Sequence, residues 1–300
     1  MKAIQFKEYG GPEVLELVDI AEPHAGPGEV RIKVRATAVN QPDWKVRAGT
    51  RREMFPRDLP SGVGFEASGV VDEVGEGVKD VKVGDAVFGK GDNTHAEYTV
   101  LRAWARKPAK ISFEEAAAVS SSGETAIRIV DMMGVKAGQT VFVSGAAGAA
   151  GTAVVQIARR RGATVIGSAS EPKHDYLRSI GAVPTTYGPG LVERVKALAP
   201  KGIDVAFDIV GSGVIPELIE LTGDPAKVIT IVASQVRPEI QSSFRTMDHP
   251  EQALAELAQA MEDGTFRMRV DRTFPLDQTA DAQILSEAGH VTGKLVIVVS

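Results

Sequence analysis

The chain contains no cysteine, and that absence removes disulfides, thiolate nucleophiles and every thiolate-bound metal centre at once. It also lacks an apolar run of membrane-spanning length, and its first residues, MKAIQFKEYGG, alternate apolar and polar side chains like a strand instead of forming a secretory segment. Long blocks of one charge are missing as well. Thirty-four basic and 39 acidic side chains leave a net charge of −5 spread over 300 residues, which speaks against a general affinity for nucleic acid or anionic membrane. The densest basic run, Arg159-Arg160-Arg161, falls at the end of a predicted helix, where cations complement the dipole. A cytoplasmic protein is expected.

What is present suffices for a large core, since 43% of the residues are hydrophobic. Residues 1–112 carry short strand candidates separated by Gly and Pro: KAIQF, VLELVDI, EVRIKVRATAV, ASGVVDEVG, DAVFG and AEYTV. From Ser112 the texture becomes helical, with Ser112 and Glu115 spaced as a capping box. Beyond Gly138 the strands TVFVS, TVIGS, VPTTY, DVAFDIV and KVITIVA alternate with helical segments, the pattern of an α/β parallel sheet covered on both faces. The segments RVDRTFPL and GKLVIVV return to strand character, so residues 268–300 are expected to complete the first domain around a central one at 113–267.

Between TVFVS and the next helix lies GAAGAAG, Gly145 to Gly151, in which no side chain exceeds a methyl. A strand, a small-residue turn and a helix N-terminus together form a site for a pyrophosphate, because unpaired N–H groups and the positive dipole end point at the ligand and nothing bulky bars the approach. Ala146, Ala147, Gly148, Ala149, Ala150 and Gly151 follow a G/A-x-x-G-x-x-G variant of the dinucleotide fingerprint. Small residues also serve tight helix–strand packing, so the parallel-sheet context is what lifts the motif.

The second strand of the unit selects the dinucleotide. NAD sites place an acid about twenty residues on to hold the ribose diol. Here the strand ends in Ser168-Ala169-Ser170, with Lys173 close behind. Hydroxyls and an ammonium suit a 2′-phosphate that a carboxylate would repel, so NADP is the expected cofactor, although Glu171 stands one residue past the expected position and Lys173 also reads as a surface lysine.

Read end to end, the chain resembles the zinc-free medium-chain dehydrogenases/reductases, in their NADPH:quinone oxidoreductase (zeta-crystallin-like) branch. The resemblance rests on MKAIQFKEYGGPEVLEL, GPGEVRIKVRATAVNQPDWKVRAG, GFEASGVVDEVGEGV, KVGDAVFG, AEYTV, EEAAAV, the glycine turn and GHVTGKLVIVV. It implies a GroES-like β-domain split around a Rossmann domain, with the nicotinamide in the cleft between them. It further implies that Asn40 lies near the nicotinamide with Lys45 lining the same cleft, that Thr125 approaches the cofactor, and that Ser168, Ser170 and Lys173 contact the 2′-phosphate. Tyr187 falls beside the adenosine phosphate, and Val210 and Ala233 at the ends of the fourth and fifth strands, where such folds bind ligands. Each residue has a plainer alternative: Asn40 a turn cap before Pro42, Tyr187 a strand-end aromatic, Thr125 a helix-start residue.

Gly64-Phe65-Glu66 stands where zinc-dependent relatives have G-H-E, and with no cysteine a catalytic zinc is not expected. Without a Lewis acid for an alkoxide, electron-poor acceptors suit the site: NADPH-dependent reduction of a quinone, or else of the double bond of an enone or 2-alkenal, or cofactor binding with little catalysis in a sensor or structural protein. His24, His95, His174, His249 and His290 are all read as solvated. The small-molecule cleft is expected to be lined by RAGTRREMFPRDLPSG and GKGDNTHAEY, with ASQVRPEIQSSFRTMDHP altering its wall. KVITIVA reads as the last strand of its sheet, an apolar edge that predicts a homodimer.

Overall fold

The computed structural model describes residues 1–50, 52–53, 56–244 and 247–300. Arg51, Met54 and Phe55 of the first expected substrate loop, and Arg245 and Thr246 of the polar segment after the fifth strand, lie outside the described residues. Two compact units divide the chain: Met1–Ser121 with His249–Ser300, and Ser122–Asp248.

The first unit contains β1 (Lys2–Phe6), β2 (Glu16–Asp19), β3 (Val30–Val39), α1 (Gln41–Arg47), β4 (Ser61–Gly62), β5 (Glu66–Val74), β6 (Ala86–Gly91), β7 (Tyr98–Arg106) and α2 (Phe113–Ala117). The helix α3 (Ser120–Met132) then leads into β8 (Thr140–Ser144), α4 (Ala149–Arg160), β9 (Thr164–Ser168), α5 (His174–Ser179), β10 (Val183–Thr185), α6 (Leu191–Leu198), β11 (Val205–Asp208), α7 (Ile215–Thr222), β12 (Val228–Thr230) and β13 (Gln241–Ser242). The chain returns to the first unit with α8 (Pro250–Glu262), β14 (Val270–Pro275), α9 (Thr279–Glu287) and β15 (Lys294–Val298).

In the first unit, alternating Val30, Ile32 and Val34 on β3 bury one face against Val71, Val87 and Leu101. Its main sheet runs β14-β15-β3-β5-β6-β7, and an additional β3–β7 pairing closes four of these strands on one another, so they expose no edge. A smaller antiparallel sheet runs β2-β1-β4. Beside it, Val39, Leu295 and Ile297 pack with Phe274 and Ala282 where β3 and β15 meet α9. Register then does something the sequence does not announce: Leu295 pairs with Val39, so Lys294 comes opposite Asn40 at the end of β3.

The second unit is a parallel sheet ordered β10-β9-β8-β11-β12-β13. Counted along the chain this is 3-2-1-4-5-6, the doubly wound order whose direction reverses between β8 and β11. Val141, Phe142 and Val143 are fully buried in succession, as a central strand covered on both faces requires. Gly162 and Gly181 end their helices at positive φ, the left-handed conformation that glycine adopts without penalty.

Three readings are corrected. KVITIVA is not the last strand, because β13 pairs with β12 beyond it; the apolar edge invoked for a homodimer is therefore covered. The units change over at 121/122 and 248/249, not near 112 and 267, because α2 packs on β3 and β5 and α8 on β7. His95 is not a surface residue: it is fully buried.

Candidate functional site

The expected site residues divide between the two units. In the second unit, β8 delivers the chain into the turn Gly145–Gly148, and α4 starts at Ala149 with Gly148 as its N-cap and no side chain capping its first turn. Those N–H groups and the positive end of a twelve-residue helix are what a pyrophosphate requires. Each glycine has its own reason. Gly145 has φ +74°, and a Cβ on it would collide with Val210, which lies over the turn. At Gly151 a Cβ would strike the carbonyl oxygen of Gly145, so the helix can approach the strand this closely only without one. At Gly148 a Cβ would find only the Gly145 oxygen, at 3.7 Å, which leaves the outer side of the turn open for a ligand. Ala146 and Ala147 are buried, while Ala149 and Ala150 are half-buried at the helix start.

The second strand ends differently from a row of outward hydroxyls. Ser168 is 1% exposed, and its Oγ accepts the backbone N–H of Gly145 at 3.4 Å, while its carbonyl accepts that of Ala146 at 3.0 Å. Ser168 thus fastens the turn from beneath. Ser170 is half-buried and caps the turn Glu171–Lys173, where the Lys173 N–H returns to the Ser170 carbonyl at 2.9 Å. Pairing of Ser168 with Thr185 sets the ends of β9 and β10 side by side, with Ser170 and the 64% exposed Tyr187 each two residues further on. Arg194 holds the Tyr187 loop by donating to the carbonyls of Thr186, Tyr187, Gly188 and Pro189. Thr125 is half-buried on α3 and its hydroxyl accepts from Arg128 at 3.4 Å. Val210 is 54% exposed two residues past β11, and Ala233 opens a short turn three residues past β12.

In the first unit, Asn40 is the N-cap of α1, and its backbone N–H donates to the Asp43 carboxylate at 2.5 Å. Its side chain is engaged elsewhere. Asn40 Nδ2 donates to Glu66 Oε1 at 2.8 Å, and Lys294 Nζ donates to Asn40 Oδ1 at 2.6 Å and lies 2.9 Å from Glu66 Oε1. Glu66 Oε2 accepts the backbone N–H of Ser121 at 2.7 Å, and its main-chain carbonyl accepts the hydroxyls of Thr37 and Thr94. Glu66 and Lys294 are 0% and 2% exposed in their side chains, a buried ion pair whose partners both meet one amide. Nearby, burial lifts the Asp43 carboxyl to about 7 against the opposing pull of the Asn40 N–H and Lys294, and burial depresses the His95 imidazole to about 4. The His95 Nε2–H donates to the Ala38 carbonyl at 3.4 Å. Lys45 lies one turn along α1, half-buried over the Trp44 ring, with Nζ donating to Gln41 at 3.0 Å.

Sequence reasoning passed over Asp43 and Lys294 and read the buried His95 as solvated. For Lys294 the signal was available: a lysine at the start of an otherwise apolar strand, GKLVIVV, cannot be buried without a partner.

Residues 26–171 match the alcohol dehydrogenase GroES-like domain, and residues 183–297 the zinc-binding dehydrogenase family. The chain is 32% identical to a quinone oxidoreductase of Sus scrofa, covering 99% of this chain and 97% of that protein. This chain belongs to the medium-chain dehydrogenase/reductase family, in its quinone oxidoreductase branch. It is also 32% identical to an NADPH-dependent alkenal/one oxidoreductase of Arabidopsis thaliana, over 99% of this chain and 79% of that one. A solved structure described as an NAD-dependent alcohol dehydrogenase superposes with a TM-score of 0.90 at 31% identity, over the whole of both chains. Among the described residues the zinc ion that one family name carries finds no donor set. The chain has no cysteine, the oxygens of Glu66 are taken by Asn40, Lys294 and Ser121, and among the described residues no three His, Asp or Glu side chains gather as a metal site. Among the described residues no helix is long and apolar enough to cross a membrane.

Proposed function

We propose that this protein is an NADPH-dependent oxidoreductase that reduces a quinone or a similar electron-poor small molecule without zinc. One observation carries the reading: a turn free of large side chains, Gly145 to Gly151, opens onto an uncapped helix N-terminus, and the neighbouring strand ends in Ser168-Ala169-Ser170 where an NAD site keeps an acid. NADPH bound there supplies a hydride from C4 of its nicotinamide to the acceptor. The N–H groups of Ala149, Ala150 and Gly151 bind the pyrophosphate, and Ser170 and Lys173 meet the 2′-phosphate while Ser168 holds the turn in shape. Tyr187 stands beside the adenosine, Thr125, Val210 and Ala233 border the cofactor, and Asn40 presents its amide at the nicotinamide, with Lys45 a positive charge for the acceptor. The chain contributes orientation and exclusion of water. A cytoplasmic homodimer completes the reading on the strength of the family alone, and sedimentation at the mass of one chain at micromolar concentration removes that part of it.

The test is steady-state turnover with NADPH and a small quinone, an enone and, in the reverse direction, NADP⁺ or NAD⁺ with primary alcohols. Quinone turnover supports the reading, and faster enone turnover moves it to double-bond reduction, the activity named for the Arabidopsis relative. Alcohol oxidation with NAD⁺ overturns it, and tight NADPH binding with no acceptor reduced makes the protein a sensor or a structural one.

A further inference from the structure

The Asn40 amide sits between two side chains that cannot exchange roles. An ammonium only donates hydrogen bonds and a carboxylate only accepts them. Lys294 Nζ at 2.6 Å therefore requires Oδ1 on its side, and Glu66 Oε1 at 2.8 Å requires Nδ2 on the other. An asparagine amide otherwise has two orientations of nearly equal shape, and ordinary neighbours such as water or hydroxyls accept either. Here the flipped amide would set Nδ2 against an ammonium and Oδ1 against a carboxylate, and since both charged side chains are buried they have little water to turn to instead.

The surroundings are built to keep that pair in register. Lys294 comes opposite Asn40 because Leu295 pairs with Val39, and both flanking residues are buried among Phe274, Ala282 and Ile297. Glu66 begins the strand on the other side of β3, where Ala67 pairs with Thr37, and its second oxygen is anchored by the Ser121 N–H. Three adjacent strands thus bring one side chain each to the same end of the sheet. An ion pair this deeply buried does little for net stability compared with apolar residues of the same volume, so its contribution is sought in orientation.

We propose that Lys294 and Glu66 are positioning residues that lock the Asn40 amide in one orientation and thereby align the nicotinamide and acceptor for hydride transfer. This rests on the reading of Asn40 given above. It assigns no chemistry to the ion pair: the hydride would pass from NADPH to the acceptor, and the proton that completes the reduction would come from solvent.

The test uses the full chain with Glu66→Gln and Lys294→Met combined, which removes both charges together, compared with Asn40→Ala. The expected result for the double variant is an NADPH dissociation constant within about twofold of the parent, a kcat lower by about tenfold, and a larger primary isotope effect with NADPH deuterated at C4. A purely structural pair would instead cost stability alone, or stability and cofactor affinity together, and leave kcat and the isotope effect where they were, and that result overturns the inference. If Asn40→Ala slows turnover but the double variant does not, the locking inference falls and the reading of Asn40 stands. If Asn40→Ala turns over like the parent, the reading of Asn40 itself falls. Should the double variant not fold, Glu66→Asp, which keeps a negative charge to balance Lys294 while drawing the shared oxygen back from both Asn40 and Lys294, is expected to show the same separation of kcat from NADPH affinity on a smaller scale, and its absence overturns the inference equally.

Discussion

Ser168 and Gly145 are joined by a hydrogen bond of 3.4 Å in which the backbone N–H of the turn donates to the serine hydroxyl, and Ser168 is buried beneath that turn. The hydroxyl is therefore a support for the turn, and in the function proposed above the contact with the 2′-phosphate falls to Ser170 and Lys173. Lys173→Ala is expected to weaken NADPH binding by about tenfold, the worth of one charge-assisted contact, with NADH affinity almost unchanged. Ser168→Ala deprives the half-buried Gly145 N–H of this acceptor and is expected to cost about 1 kcal/mol of stability while the NADPH/NADH ratio holds within about twofold. Titrating both coenzymes calorimetrically checks the pair, and a collapse of the ratio in Ser168→Ala would place that hydroxyl on the phosphate after all.

Gly148 and Gly151 lie in the same turn but predict opposite outcomes. A methyl at Gly151 collides with the Gly145 carbonyl and the Ala146 backbone, neither of which can yield without opening the turn. Gly151→Ala is expected to lower stability by about 1 to 3 kcal/mol and to abolish coenzyme binding. A methyl at Gly148 meets nothing nearer than 3.7 Å, so Gly148→Ala is expected to melt like the parent. Any loss of NADPH affinity in that variant then reports the methyl meeting the ligand. Unchanged affinity in a stable Gly148→Ala would mean that the pyrophosphate lies elsewhere.

The second unit was legible because its information is local: apolar strands in alternation with helices, glycines at helix ends and a turn of small residues each declare themselves within a few positions. The first unit's strands were legible for the same reason, and Ser112 does cap α2 through the Glu115 N–H at 3.1 Å. The network around Asn40 was not, since Asn40, Glu66, His95 and Lys294 are far apart in the chain and meet only through strand register. A one-residue slip of β15 would have sent Lys294 to the other face. Nor could the pattern of KVITIVA show that a two-residue strand covers it: Gln241-Ser242 carries too few residues for any periodicity.

Removing one member of the Glu66–Lys294 pair differs from removing both. Lys294→Met alone strands a carboxylate with 0% exposure, and such uncompensated burial is expected to cost about 3 to 5 kcal/mol. With Glu66→Gln added, the charge is gone and the loss is expected to shrink to about 1 to 2 kcal/mol, so that urea denaturation of the four proteins of the cycle shows strong coupling. Additive single losses would show that water reaches the pair.

Asp43 and His95 make the pH dependence of stability a contest of two opposite slopes. The Asp43 carboxyl is raised from 3.8 to about 7, chiefly by burial, with the Asn40 N–H, Lys294 and Arg57 opposing and Glu66 adding to the shift. The folded chain accordingly takes up this proton before the unfolded chain does, and as pH falls from about 7 to about 4 stability rises. His95 is lowered from 6.5 to about 4, chiefly by burial, against the Ala38 carbonyl and Glu66. Between those values the unfolded chain is protonated first, so stability falls as pH drops from 6.5 to 4. Over their shared window the two contributions, each on the order of 3 to 4 kcal/mol in full, largely cancel. Asp43→Asn is therefore expected to uncover the histidine slope, with urea midpoints declining from pH 6.5 to 4, and His95→Gln to uncover the carboxyl slope, with midpoints rising over the same interval. Parallel profiles for both variants and the parent would show that neither group changes its protonation on folding.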